Sequence, residues 1–124
     1  MRGWGENRGY GTWSLVTAAR LHRLPVVNVL GCDVPVANGL GARILGLAHL
    51  DRAEAGPGLL IPRCSSVHTF GMRFALDLYF LDEDGEPLAI RRGIGARRVI
   101  SCRGARAVLE IPAEQGGEFS SRCP

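Results

Sequence analysis

The stretch CSSVHTFGMRFALDLYFLDEDG, residues 64–85, holds the clearest strand, the clearest turn and the only close Cys and His pair of the chain. Over residues 73–81 the side chains alternate. Phe74, Leu76, Leu78 and Phe80 fall on one face, and Arg73, Ala75, Asp77 and Tyr79 on the other. A period of two marks a half-buried β-strand. The acidic run Asp82, Glu83, Asp84 then reaches Gly85, a residue that adopts positive φ without steric cost, and Pro87 opens the next segment. A hairpin pairing residues 73–81 with residues 87–92 is the expected local structure.

Outward from this hairpin, the apolar segments are short. Residues 26–30 are rich in β-branched side chains and predict a first strand, continued by residues 34–37 after a kink at Gly31 and Asp33. Residues 59–61 form a brief strand closed by Pro62. Residues 97–101 and 106–111 are two more, the second with Val108 and Glu110 alternating against Ala107, Leu109 and Ile111. Residues 14–24 fit either a short helix or a strand, ended by Pro25. One segment changes period: in residues 40–50, Leu40, Ile44, Leu47 and Ala48 share one side of a helix, with Asn38 before it as an N-cap. Strands at short intervals around a single short helix near residues 39–50 predict a mainly β fold, an antiparallel sandwich or small barrel. Residues 1–13 read as a loose leader, residues 14–112 as one domain, and residues 113–124 as a mobile tail poor in apolar side chains.

At 124 residues the chain is one small domain, and with 46% hydrophobic and 22% charged residues it has the composition of a folded globular protein. All fifteen basic residues are Arg. The absence of Lys excludes Schiff-base chemistry and a P-loop with its lysine. The arginines are scattered among acids without clustered aromatics, so no nucleic-acid partner is expected. The densest group, Arg91, Arg92, Arg97, Arg98, Arg103 and Arg106, reads as a solvated edge that discourages sheet-to-sheet pairing. Cys32, Cys64, Cys102 and Cys123 form no C-x-x-C, which leaves zinc ribbons and thioredoxin-type motifs unsupported. Residues 29–32 imitate a lipoprotein cleavage box, but Arg20, His22, Arg23 and Pro25 interrupt the apolar run that such a signal requires. The even cysteine count permits two disulfides, but without an export signal reduced thiols are the default, with a cytoplasmic location and no membrane span.

For chemistry, Cys64 and His68 stand four apart, a spacing that puts both on one face of an extended segment. They are candidates for a nucleophile and its base, or, with His49, for metal ligands. Cys32, Cys102 and Asp77 are the other potential ligands, but sequence spacing does not unite them, and no G-x-S-x-G elbow occurs. No cofactor is implied. Asp77 interrupts an apolar strand, so it lies on a wet face or is buried against an arginine such as Arg73 or Arg43. The leading reading is a non-enzymatic ligand-binding or accessory domain. Its groove beside residues 64–77 would be lined by His68, Met72, Arg73, Asp77 and Arg43 and take a small molecule or a partner segment. The alternative is an enzyme using Cys64 and His68.

Taken together, several residues resemble the DUF192 family of bacterial and archaeal proteins. The resemblance runs over residues 37–111. It is carried by Arg43 with Gly46 and Leu47; Gly58, Leu59 and Pro62; residues 68–72; Leu76 with Asp77; Phe80 with Asp82; Gly85; and Leu109 with Glu110. It implies a compact, mainly β protein of jelly-roll or barrel type with a short helix, and it implies no activity, because the family has no established biochemical function. Two positions depart from the family pattern. Gly71 stands where many members carry Trp before the motif Met, and residues 114–124 do not look like the Gly-rich lead to a last strand.

Overall fold

The computed structural model describes residues 4–7 and 17–114. Among these residues, nine strands and two short α-helices run in the order β1 (Trp4–Asn7), α1 (Ala19–His22), β2 (Val26–Val29), β3 (Cys32–Pro35), α2 (Leu40–Leu45), β4 (Leu59–Pro62), β5 (Ser66–His68), β6 (Leu76–Leu81), β7 (Pro87–Ile94), β8 (Val99–Ser101) and β9 (Ala107–Pro112). All pairings between named strands are antiparallel. They make a four-stranded sheet in the order β4-β9-β6-β7, a three-stranded sheet β1-β2-β3, and a two-stranded ribbon β5-β8. The fold is thus mainly antiparallel β with short helices. Among the described residues, no helix is long and apolar enough to cross a membrane.

The hairpin of β6 and β7 forms where the alternation places it. Asp82 Oδ1 accepts the N–H groups of Asp84 and Glu86 at 2.8 and 3.0 Å, and Gly85 takes a φ of +81°. The strand begins at Leu76 rather than residue 73, and all six of its residues are buried, not half of them. The reason is its position. β6 lies inside the central sheet between β9 and β7, with a separate apolar layer on each face. Leu76, Leu78 and Phe80, with Leu59, Ile61 and Val108, face one layer, which also contains Leu21, Leu47 and Met72. Tyr79 and Leu81, with Leu60, Leu109 and Ile111, face the other, closed by Val27, Val29 and Val34 of the three-stranded sheet.

Three segments differ from expectation. Residues 26–37 form a hairpin instead of one kinked strand, because Leu30 and Gly31 both take positive φ (52° and 83°) and reverse the chain in two residues. The leader contains β1, which pairs with β2; residues 1–3 and 8–13 of it, like residues 115–124 of the tail, lie outside the described residues. The helix expected over residues 40–50 stops at Leu45. Gly46, at φ +55°, turns the chain away, so Leu47 and Ala48 reach the core from outside the helix while Leu40 and Ile44 stay exposed. Gly39, not Asn38, occupies the N-cap position, without a side-chain hydrogen bond.

A buried carboxyl beneath the short helix

Side-chain hydrogen bonds fasten α2 and the residues after it to their surroundings in three directions. Arg20 Nη2 donates to the carbonyls of Gly46 and Ala48 at 3.0 and 2.8 Å. Arg43 Nη2 donates to the Arg63 carbonyl at 2.9 Å. His68 takes the third direction, with Nε2 3.1 Å from the Ile44 carbonyl oxygen. Its Nδ1 accepts the Phe70 N–H at 3.2 Å, which requires that nitrogen to be unprotonated and leaves the ring proton on Nε2 for Ile44. Between α2, β5 and the central sheet lies a cavity of about 50 Å³. Its walls include Arg43, Cys64, His68 and Met72. At the sheet side stands Glu110, on the central strand β9 opposite Leu59 and Leu78.

Glu110 is the feature that sequence reading missed. It is only 3% exposed, and among the described residues its Oε1 has no hydrogen-bond partner. Burial pushes its carboxyl up to about 8, because an ionised carboxylate deep in the protein forfeits its hydration. At neutral pH the group is therefore mostly the protonated acid, able to donate one hydrogen bond and accept another. Gly46 makes room for it, since a Cβ at that position would stand 3.3 Å from Oε1. The signal was present in the sequence. Glu110 is the one charged residue between Ala107 and Ile111, and in a strand buried on both faces it has no wet face to occupy.

The other candidates divide sharply. Asp77 pairs in register with Ile111 and so points to the sheet face opposite Glu110, which pairs with Leu78. It is buried, as one of the two expectations held, but against neither Arg73 nor Arg43. Its Oδ1 accepts the Gly93 N–H at 2.8 Å and its Oδ2 lies 3.7 Å from Arg92 Nη1. Those contacts close the bulge where β7 carries an extra residue between its pairings with Leu76 and Leu78. Arg73 is exposed in an ion pair with Asp51 at 3.0 Å and does not line the cavity. Of the expected groove, Arg43, His68 and Met72 remain, joined by Cys64.

Cys64 and His68 share the cavity without forming a catalytic pair. Cys64 Sγ donates to the Ser66 carbonyl at 3.1 Å, and both nitrogens of His68 serve backbone groups, so no ring nitrogen is free to take the thiol proton. His49 lies elsewhere, against Gly71. A Cβ added to Gly71 would meet the His49 ring at 2.9 Å, so the imidazole fills the space a side chain at 71 would need. Among the described residues no three His, Cys, Asp or Glu side chains are grouped to hold a metal. Cys64 and Cys102 are free thiols, whereas Cys32 is disulfide-bonded, contrary to the expectation that the thiols are reduced.

A second cavity, of about 170 Å³, lies on the other flank of α2 among Leu21, Leu24, Ala42, Leu45 and Leu59, with Arg20 at its edge. It is larger, but Arg20 is its sole charged side chain and already clamps two carbonyls. Of these two cavities, the first is the one lined by a residue with a buried polar atom unpartnered among the described residues, Glu110 Oε1.

Comparison with known proteins identifies the family and the fold. The family model of DUF192, described as an uncharacterized ACR, matches residues 26–120. No curated protein matches the chain. Among solved structures, the chain is similar to a protein of unknown function from Novosphingobium aromaticivorans. The TM-score is 0.55 at 19% identity, with 83% of this chain and 88% of that one covered, which shows a shared fold.

Proposed function

The chain belongs to the DUF192 family, and from that premise we propose that it is a non-enzymatic recognition domain whose binding site is the cavity over Glu110. The observation that carries this reading is a fully buried glutamate on the cavity wall whose Oε1 has no hydrogen-bond partner among the described residues. Leaving a buried polar atom unpaired costs about 1–3 kcal/mol, and native proteins satisfy nearly all such atoms with protein, water or ligand. The residues by which the chain resembles its family add support. Arg43, Gly46, Leu47, His68, Met72 and Glu110 are dispersed over the sequence yet line this one cavity.

The size of the site limits what it takes. About 50 Å³ accommodates a few water molecules or the tip of a larger molecule, far less than a drug-sized ligand fills. Ile44 on its wall is exposed at 60%, and Phe70, whose ring lies 5.8 Å from that of the lining His68, at 51%. These apolar groups suit the remainder of a ligand or a partner segment whose polar end enters the cavity. A fragment screen by protein-observed NMR on the full chain tests the reading. Bound fragments are expected to move the signals of Gly46, His68, Met72 and Glu110, and Glu110→Leu is expected to abolish those shifts. The reading is overturned if no fragment moves these residues, or if Glu110→Leu leaves binding intact.

A further inference from the structure

Building on that recognition site, we infer that the group entering the cavity is a carboxylate, held between the Glu110 carboxyl and the Arg43 guanidinium. Several polar side chains on the cavity wall are already engaged. His68 has committed both nitrogens to the backbone, and Cys64 has committed its thiol to Ser66. Ser66 Oγ accepts from Ser101 Oγ at 2.8 Å, which leaves its own O–H as a further neutral donor on the wall. The side chains on the wall with ionisable groups and remaining capacity are Glu110, whose Oε1 has no partner among the described residues, and Arg43, whose guanidinium has five N–H donors of which one bonded nitrogen serves Arg63.

These two groups do not satisfy each other. Among the described residues no ion pair joins Arg43 to Glu110, although both line the same small space. The burial that keeps the proton on Glu110 is consistent with that arrangement. A neutral acid and a cation on the wall of one cavity are together complementary to an anion. The acid O–H donates to one carboxylate oxygen in a short charge-assisted hydrogen bond, and the guanidinium neutralises the other. An ammonium ion would meet Arg43, a like charge, and gain only a neutral partner from Glu110.

Titration of the isotopically labelled full chain with acetate, acetamide and methylammonium, three probes of similar size, tests the inference. The pH is kept below the Glu110 titration and the ionic strength is held constant. The Glu110 side-chain carbon and the Gly46 amide are followed. Acetate is expected to bind tightest, with Arg43→Met weakening it about tenfold, the loss of one charge-assisted contact, while leaving acetamide nearly unchanged. Arg43→Lys, which keeps the charge, is expected to retain most of the acetate affinity and to control for damage to α2. Tighter binding of methylammonium or acetamide overturns the carboxylate assignment and leaves the recognition site standing. If none of the three probes perturbs these signals, water alone satisfies Glu110 in place of a carboxylate, and the inference fails whatever larger fragments bind.

Discussion

Gly46 lies against the carboxyl of Glu110, sixty-four positions later in the chain, where a Cβ would stand a tight 3.3 Å from Oε1. Its backbone, at φ +55° and ψ −131°, is one that residues with a Cβ adopt only under strain. Gly46→Ala is therefore expected to destabilise the fold by about 1–3 kcal/mol. It should also push the Glu110 carboxyl out of place. Gly41 supplies the control, because it sits inside α2 with nothing within 4 Å of its would-be Cβ. Gly41→Ala should raise stability by up to about 1 kcal/mol through helix propensity. Urea unfolding of both variants checks the pair, and equal effects would contradict this account of Gly46.

Stability should depend on pH through Glu110. Its folded-state value of about 8 lies above the ordinary 4.5, so the folded chain binds more protons than the unfolded chain between those two values. The stabilising contribution is full below the ordinary glutamate range and is lost as the pH rises through about 8. Within the window the slope reaches at most about 1.4 kcal/mol per pH unit. Glu110→Gln, which does not ionise, should flatten that slope and be relatively more stable in mild alkali. Denaturation midpoints measured across the window would show it; identical slopes for the parent chain and the Glu110→Gln variant would refute the buried-acid assignment.

Asp77 and Arg73 make opposite predictions even though they are close in sequence. Asp77→Ala strips the acceptor from the Gly93 N–H in the β7 bulge and separates Arg92 from its carboxylate. A loss of about 1–3 kcal/mol is expected. Because it acts on the far face of the sheet, acetate binding at the cavity should be unchanged. Arg73→Ala removes only an exposed ion pair with Asp51 and should cost less than about 1 kcal/mol. Thermal unfolding distinguishes the two, and a larger loss for Arg73 would reverse the assignment.

His68→Ala should loosen α2 without global unfolding. The exposed ring makes a hydrogen bond to the Ile44 carbonyl that ties the end of the helix to β5. Faster amide exchange across Leu40–Leu45 is expected, with the core of β6 and β9 unaffected. Cys64→Ala removes only a thiol bonded to Ser66 and should leave exchange in α2 as it was. A matching acceleration in both variants would mean that the His68 contact is not what anchors the helix.

The parts of the fold that were legible are those written in local pattern. The β6–β7 hairpin follows from alternation, from the Asp82 side chain capping its own turn and from Gly85. The short strands β4, β8 and β9 follow from apolar runs bounded by Pro, Gly or Arg. The α2 segment was half legible, because its period of hydrophobicity continues through Leu47 and Ala48 while the backbone leaves the helix at Gly46. Periodicity records which side chains are apolar and says nothing of a glycine that redirects the chain midway. Of the proposed groove, Arg43, His68 and Met72 are gathered at the cavity, while Asp77 faces away because a strand sends adjacent residues to opposite sides.

The sequence by itself determined the strand content, the central hairpin, the absence of any lysine and the family to which the chain is similar. Tertiary structure decided what alternation leaves open, namely whether the second face of a strand is wet. Placing β9 between β4 and β6, under an apolar layer on each side, turned Glu110 from an ordinary outward residue into a buried acid beside a cavity. A strand's two faces are fixed by local geometry, but the solvent each one meets is set by distant segments packing over it.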